Sequence, residues 1–225
     1  MVKAVLSDID GTLVESNWLH AAAWRDAFAA IGINLDVEEV RRQIGKGGDE
    51  LIPVFVPWWK RKAVEEPLKT YRKFIFQTDY LDKVTPFPRV RQLFQRMKHA
   101  DIKLALASSC KKDELDVYKS IASISDLVDE ETSADDADRA KPHPDIFQAT
   151  LDKLRLKPSQ TLALGDTPYD AEAAGKANVW TVGVMTGGWS KEDLLAAGCV
   201  EVWKDVAELL ENFEQSAFVR HRAAG

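Results

Sequence analysis

The amino-acid sequence predicts an α/β fold: a parallel sheet with helices on both faces, interrupted by an all-helical insertion after the first strand. Five short apolar runs, each typical of a buried strand, alternate with helical patterns along most of the chain. Strand–helix units in series favour a parallel sheet, because each crossover helix returns the chain to the same end of the sheet. Between residues 15 and 84, in contrast, the patterns are helical and no strand-like run occurs.

The individual elements follow from the positions of these runs. The predicted strands are residues 4–6, 103–107, 126–128, 161–164 and 180–184. The predicted helices are residues 17–31, 36–42, 59–78, 89–100, 111–121, 144–154, 168–176 and 191–197. Gly32 should close the first helix and Asp36 should cap the second, whereas Pro67 should break or kink the third. The tail, residues 214–225, is expected to fray.

Length and charge restrict the class of protein. The 225 residues correspond to about one and a half domains, which suits one α/β domain with an insertion. The net charge of −6 disfavours nucleic acid or an anionic membrane as the main partner. Cys110 and Cys199 lack metal-binding spacing, and no targeting segment or membrane-length apolar run is visible. These features predict a cytoplasmic protein with reduced thiols.

The first predicted strand is followed by two aspartates, Asp8 and Asp10, and then by Gly11. Residues two apart on a strand point the same way, so both carboxylates can face one pocket. Such a pair needs a cation or a shared proton, because the two charges repel. The alternative is a turn whose aspartates cap a helix.

Later segments add polar groups at strand ends, where parallel sheets bind their ligands. Ser109 can cap the following helix, whose amides attract anions, and Lys141 stands in a loop stiffened by prolines. Thr167 and Asp170 suit the N-cap and N3 positions of another helix, whereas Asp166 precedes that cap and is available as a hard-cation ligand. Singly, Ser109 is as well explained as a plain N-cap and Lys141 as a solvated lysine.

Together, these residues resemble the motifs of the haloacid dehalogenase-like phosphohydrolase superfamily. The matching residues are the DIDGTLV run from residue 8, Ser108, Lys141 with its PHPDIF context, and Gly165-Asp166 with Asp170. The resemblance extends over nearly the whole chain. It implies a Rossmann-like core of residues 1–14 and 85–225 and a small helical C1 cap of residues 15–84, as in phosphoglycolate-phosphatase-like and β-phosphoglucomutase-like members.

The resemblance also implies a role for each matching residue. Asp8 would attack the phosphoryl group and form an aspartyl-phosphate, while Asp10 would protonate the leaving oxygen and then activate water. Ser108 and Lys141 would hold phosphoryl oxygens. The implied ligands of a Mg²⁺ ion are Asp8, Asp10 (through its backbone carbonyl), Asp166 and Asp170 (directly or through water). Carboxylates suit both phosphate transfer and Mg²⁺ binding. Members that cleave haloalkanoates lack an acid at the position of Asp10, so dehalogenation is not expected.

Substrate selection is expected from the helical cap. His20 with Trp24 resembles the start of the cap in β-phosphoglucomutase-like proteins, where the histidine takes part in substrate handling; a buried, hydrogen-bonded His20 is the alternative. The glycine-rich loop at residues 45–50 can approach a ligand closely, and Lys46 could meet an anionic or polyol leaving group. Ser109 is a further candidate for substrate binding. The loop lacks the arginine that the mutases place nearby, which argues against a mutase.

These observations predict a Mg²⁺-dependent phosphatase that hydrolyses the phosphomonoester of a small metabolite, a sugar phosphate or a phosphoglycolate-like compound, through an aspartyl-phosphate. The alternative on the same scaffold is a sugar phosphomutase of the β-phosphoglucomutase type. A third hypothesis is a non-catalytic binding or regulatory protein, although every expected catalytic position is filled. The expected partner is a small phosphorylated metabolite rather than nucleic acid or a membrane, and the expected assembly is a monomer or a weak homodimer.

Overall fold

Eight strands lie in the part of the chain that the computed structural model describes, residues 2–220. They are β1 (Ala4–Ser7), β2 (Val14–Glu15), β3 (Thr85–Pro86), β4 (Lys103–Ala107), β5 (Glu130–Thr132), β6 (Thr161–Gly165), β7 (Trp180–Val184) and β8 (Cys199–Trp203). Six of them form a parallel sheet in the order β5-β4-β1-β6-β7-β8, while β2 and β3 form a separate antiparallel ribbon. Strand β1 therefore lies in the middle of the sheet, between β4 and β6.

Eleven α-helices lie among residues 2–220. They are α1 (Asn17–Ala30), α2 (Val37–Arg41), α3 (Gly48–Phe55), α4 (Trp58–Ile75), α5 (Val90–His99), α6 (Lys112–Ile121), α7 (Asp145–Leu154), α8 (Pro168–Lys176), α9 (Lys191–Ala196), α10 (Val206–Glu211) and α11 (Ala217–Arg220). Helices that follow β3 cover both faces of the sheet. Side chains alternate along β1: Val5 belongs to a hydrophobic cluster with α5, α6 and α10, whereas Ala4 and Leu6 pack with α7 and α8. The predicted α/β fold with a parallel sheet is confirmed.

The chain between β2 and β3 is helical, as the sequence predicts. Helix α1 ends just before Gly32, whose φ of +81° turns the chain away, and the Asp36 side chain caps α2. A π-helical turn (Phe76–Tyr80) and a 3₁₀ turn (Leu81–Lys83) continue from α4. The β2–β3 ribbon lies where the chain enters and leaves this helical segment. The division into a core and a cap of residues 15–84 stays a prediction.

One expectation about the strands is wrong, and one strand of the main sheet is not predicted. Residues 126–128 form a turn, and β5 begins only at Glu130. The apolar run there is too short to define a strand, and Asp126 is held at the surface by an ion pair with Arg91 at 2.6 Å. The sequence also does not predict β8, because Glu201 interrupts its apolar residues and its outer side chains are partly exposed at the edge of the sheet.

Two expectations about helices are also wrong: a break at Pro67 and a loop throughout residues 45–50. Pro67 does not break α4, which continues through it; the proline lies on the exposed side of the helix, so that its ring meets solvent rather than the core. Helix α3 begins at Gly48, inside the predicted glycine-rich loop. Its glycine start and its internal Pro53 hide the helical pattern.

The tail is better ordered than expected. Helix α11 orders the chain as far as Arg220, and Phe218 within it is buried against Phe213. The expected fraying of residues 221–225 falls outside the described residues. Among residues 2–220, no helix combines the length and the apolar character that crossing a membrane requires.

Candidate active site

The ends of three neighbouring strands bring polar side chains to one edge of the sheet. Asp8 follows β1, Ser108 follows β4 and Asp166 follows β6. Lys141 reaches the same place from the loop before α7: its Nζ lies 2.6 Å from Asp8 Oδ1 and 2.8 Å from Asp170 Oδ1. All five residues are buried, so that these charges interact with little screening by water.

Burial and charge together set the protonation of this group. Burial raises the pKa of Asp8 to about 7, although the charge of Lys141 acts to lower it. Burial alone would lower the pKa of Lys141, but the charges of Asp170 and Asp8 outweigh it and raise this pKa. Burial, with the charges of Asp170 and Asp8, also raises the pKa of Asp166 well above its usual range. The raised pKa values mean that Asp8 and Asp166 are hard to ionise together in this buried place, and a bound cation would favour their ionised forms.

Asp8, Asp166 and Asp170 fit a divalent metal ion. Each offers one carboxylate oxygen, and these three atoms lie within 4.8 Å of one another. Thr12 Oγ1 and Asn17 Nδ2 donate hydrogen bonds to the two oxygens of Asp166, each at 2.8 Å. The buried Asn17 Oδ1 has no hydrogen-bond partner between residues 2 and 220. Carboxylate and amide oxygens are the donors that a hard divalent cation prefers.

Asp170 also belongs to the N-terminal cap of α8, as the sequence predicts. The Thr167 hydroxyl donates to Asp170 Oδ2 at 2.6 Å, and the Thr167 backbone N–H donates to the same atom at 3.0 Å. This cap fixes Oδ2 and leaves Oδ1 on the side of Lys141. The capping interpretation of Asp170 is confirmed, and it does not compete with a place in the site.

Asp10 contacts the beginning of the helical segment. Its Oδ1 accepts a hydrogen bond from Ser16 Oγ at 2.6 Å and lies 2.8 Å from His20 Nε2. Arg72 Nη2 lies 2.5 Å from His20 Nδ1. Because arginine can only donate, Nδ1 accepts, and the ring proton on Nε2 points to Asp10. Burial alone would raise the pKa of Asp10, but His20, Ser16 and the charge of Arg72 outweigh it and lower this pKa.

Ser108 and Ser109 occupy different environments. The buried Ser108 Oγ accepts from the backbone N–H of Cys110 at 3.2 Å and lies at the same distance from Cys110 Sγ. Ser109 lines the cavity above the site but does not cap a helix, because α6 starts only after Lys111, an N-cap whose side chain makes no capping hydrogen bond. The expectation that Ser109 caps this helix is therefore wrong.

A cavity of about 340 Å³ opens above Asp8 between the helical segment and the sheet edge. The predicted residues that line it are Asp8, Asp10, His20, Trp24, Lys46 and Ser109. Lys46 Nζ lies 2.7 Å from Gln43 Oε1 and 4.7 Å from the centre of the Tyr169 ring. The structure thus brings the predicted substrate-binding residues to the mouth of the site, with Lys141 buried beneath them.

Sequence reasoning missed several contributors to this site. Thr12 and Asn17 hold Asp166, and Arg72 holds His20. The place of Thr12 in the DIDGT run is a signal that could have found it. Asn17 and Arg72 give no such signal, because each is an ordinary polar residue of a helix until the fold brings it to the site.

Similarity to known proteins extends over most of the chain. Residues 5–184 match the family model described as haloacid dehalogenase-like hydrolase. Pyrophosphatase PpaX of Oceanobacillus iheyensis is 28% identical over 192 residues, which cover 85% of this chain and 86% of that protein. The crystal structure of a hydrolase from Pseudomonas syringae has a TM-score of 0.85 at 24% identity, covering 95% of this chain and 98% of that one. A β-phosphoglucomutase from Clostridium difficile has a TM-score of 0.78 at 23% identity, covering 97% of both chains. Both structures share the fold of this chain.

Proposed function

Because the chain belongs to the haloacid dehalogenase-like hydrolase family, we propose that it is a Mg²⁺-dependent phosphatase acting on the phosphomonoester of a small metabolite. The substrate class is a sugar phosphate or a phosphoglycolate-like compound. The observation that carries the proposal is the buried contact of 2.6 Å between Lys141 Nζ and Asp8 Oδ1 at the floor of the cavity. It joins a nucleophilic carboxylate to a fixed positive charge where a phosphoryl group would arrive.

In the first step, an Asp8 carboxylate oxygen forms a bond to phosphorus while the ester P–O bond breaks. Lys141 stabilises the negative charge on the phosphoryl oxygens as they pass through the transition state. Ser108 would hold a phosphoryl oxygen through its hydroxyl. Asp10, whose pKa is lowered in the structure without substrate, takes up a proton before this step and gives it to the leaving oxygen, which departs as an alcohol.

In the second step, Asp10 takes a proton from a water molecule, whose oxygen attacks the phosphorus of the aspartyl-phosphate. The bond between Asp8 and phosphorus breaks, and inorganic phosphate leaves. His20 donates a hydrogen bond to Asp10 from Nε2, which favours the ionised carboxylate that this step needs.

Asp8, the Asp10 carbonyl, Asp166 and Asp170 would hold the Mg²⁺ ion. When bound, the ion offsets the negative charge of the nucleophile and the phosphate. Asp166 reaches this place from β6 and is oriented by Thr12 and Asn17. A divalent cation suits this donor set of buried oxygens, as judged from the three clustered carboxylates.

The helical segment, residues 15–84, acts in this proposal as a cap that excludes water and selects the leaving group. His20, Trp24 and Lys46 face the cavity from it, and Ser109 faces the cavity from the sheet edge. We expect a cytoplasmic monomer or weak homodimer with a small phosphorylated metabolite as its partner.

A phosphate-release screen over sugar phosphates, phosphoglycolate and nucleotides tests this function. Purified protein with Mg²⁺ should release inorganic phosphate from small monoesters, and EDTA should abolish the release. No release from any compound would contradict the proposal and favour a binding or regulatory protein.

A sugar phosphomutase is the second candidate, because the contact between His20 and Asp10 fits it as well as it fits a phosphatase. The resemblance implies that β-phosphoglucomutase-like proteins use such a histidine to control phosphate transfer. Product analysis by ³¹P NMR separates the two activities: inorganic phosphate indicates a phosphatase, and an isomerised sugar phosphate indicates a mutase.

A further inference from the structure

Arg41, at the end of α2, is a buried arginine outside the catalytic group described above. Its Nε and Nη2 donate to the two carboxylate oxygens of Glu38 at 2.8 Å and 2.5 Å. Its Nη1 donates to the backbone carbonyl of Gly187 at 2.6 Å, and Nη2 lies 3.4 Å from the carbonyl of Gly188. The guanidinium thus joins the helical segment to the turn at Gly187 and Gly188, which follows β7.

This turn packs against Asp166. A Cβ atom added to Gly187 would lie 2.0 Å from Asp166 Oδ2, so the backbone there touches the carboxylate. A Cβ atom added to Gly188, whose φ is +79°, would lie 2.2 Å from Arg41 Nη1. Two adjacent glycines therefore let the turn fit between the guanidinium on one side and the carboxylate on the other.

A third contact fixes the same turn. Thr186 Oγ1 donates to the backbone carbonyl of Gly11 at 2.5 Å, next to the strand end that carries Asp8 and Asp10. Opposite the turn, Asn17 Nδ2 donates to Asp166 Oδ2 at 2.8 Å. Asp166 Oδ2 is thus confined between the glycine turn and Asn17.

We propose that Arg41 is a positioning residue: it holds the turn around Gly187 and Gly188 against Asp166 and thereby raises the affinity of the site for its divalent cation. This inference rests on the metal-binding role of Asp166 in the proposed function. Residues that orient a ligand without touching the metal change its affinity by roughly 10–100-fold when they are replaced.

The two ways in which Arg41 could act predict opposite changes in metal affinity when the arginine is removed. A positive charge near the site repels a cation, so its removal on electrostatic grounds alone would strengthen metal binding. If Arg41 acts by holding the turn, its removal weakens metal binding. Arg41→Lys separates the effects further, because lysine keeps the charge but lacks the planar fork that reaches Glu38 and the Gly187 carbonyl together.

The test measures Mn²⁺ binding to the full chain without substrate, by the electron paramagnetic resonance signal of free Mn²⁺. Arg41→Ala and Arg41→Lys should each raise the dissociation constant about tenfold or more. The matched control is Arg42→Ala, which removes an exposed neighbouring guanidinium and should bind Mn²⁺ like the wild type. Circular dichroism of the metal-free proteins verifies that each variant is folded.

Unchanged or tighter Mn²⁺ binding by folded Arg41→Lys protein would overturn the inference and leave Arg41 as a structural tie. A wild-type chain that does not bind Mn²⁺ would overturn it as well. The proposed function fails separately: a wild-type chain that binds Mn²⁺ but hydrolyses no phosphate ester refutes the phosphatase and leaves the role of Arg41 standing.

Discussion

The ring of His20 lies between Asp10 and Arg72, and its loss should slow the reaction. We predict that His20→Ala lowers kcat by roughly 10–100-fold, since a hydrogen bond to a charged group contributes about 1.5–3 kcal/mol. Steady-state kinetics on a phosphate ester found in the screen would measure this. The control is His99→Ala, an exposed histidine at the end of α5 that should leave kcat unchanged. Equal rates for both variants would show that His20 only fills space beneath the cavity.

The thiol of Cys199 offers a second test of a single residue. Burial, with the nearby charge of Asp170, raises the pKa of this thiol to about 12, so that it stays protonated at pH 8. We predict that iodoacetamide alkylates Cys199 at pH 8 at least about 10-fold more slowly in the native protein than in guanidinium chloride, as followed by peptide mass spectrometry. Equal rates would mean that β8 is not packed as described.

At the scale of elements, Pro67 lies inside α4, where it removes a helix hydrogen bond. A proline in a helix interior destabilises the folded state by about 3 kcal/mol relative to alanine. Proline also restricts the unfolded chain, and losing this restriction on replacement by alanine destabilises the protein by up to about 1 kcal/mol. We therefore predict that Pro67→Ala raises the free energy of unfolding by about 2 kcal/mol in urea titrations. Pro158, at the first position of a 3₁₀ turn, suits its place, and Pro158→Ala should bring no gain. No gain from Pro67→Ala would indicate that α4 is adapted to its proline.

Local sequence patterns predict the elements that are uniform along their length. Strands β4 and β7 lie at the predicted residues, because in each the four residues after the exposed first one are buried inside the sheet and are mostly apolar. Strand β8 and helix α3 are not predicted from the sequence, because they depend on tertiary contacts. Strand β8 forms by pairing with β7 at the sheet edge, and α3 buries only Leu51 and Ile52.

At the scale of the whole molecule, the proposed metal site brings together the ends of β1 and β6 and the first turn of α8. A cation that binds only the folded chain stabilises it by about 2.7 kcal/mol at a concentration 100 times its Kd. We predict that Mg²⁺ raises Tm by roughly 5–10 °C over the EDTA-treated protein, as measured by calorimetry.

Asp166→Asn is the informative variant in this measurement. It removes one of the three clustered carboxylates, so that the Mg²⁺-induced increase in Tm should shrink. A wild-type Tm that Mg²⁺ leaves unchanged, or a full Mg²⁺ effect in Asp166→Asn, would contradict the metal site.

The candidate site was partly predictable for a physical reason. Asp8, Asp10 and Asp166 follow strands whose ends meet at one edge, so local patterns are enough to bring them together. Asn17 and Arg41 come from the helical segment, and only the packing of that segment places Asn17 against Asp166 and Arg41 against the Gly187 carbonyl.

In the proposed function, Asp8 carries the phosphoryl group as an aspartyl-phosphate. After a rapid acid quench during turnover, mass spectrometry should find one phosphoryl group on the wild-type peptide that contains Asp8. Asp8→Asn should lose both this adduct and turnover, by at least ~10⁴-fold, whereas the exposed control Asp152→Asn should keep both. An Asp8→Asn protein that keeps its activity, or a phosphoryl group trapped on another residue, would contradict this role of Asp8.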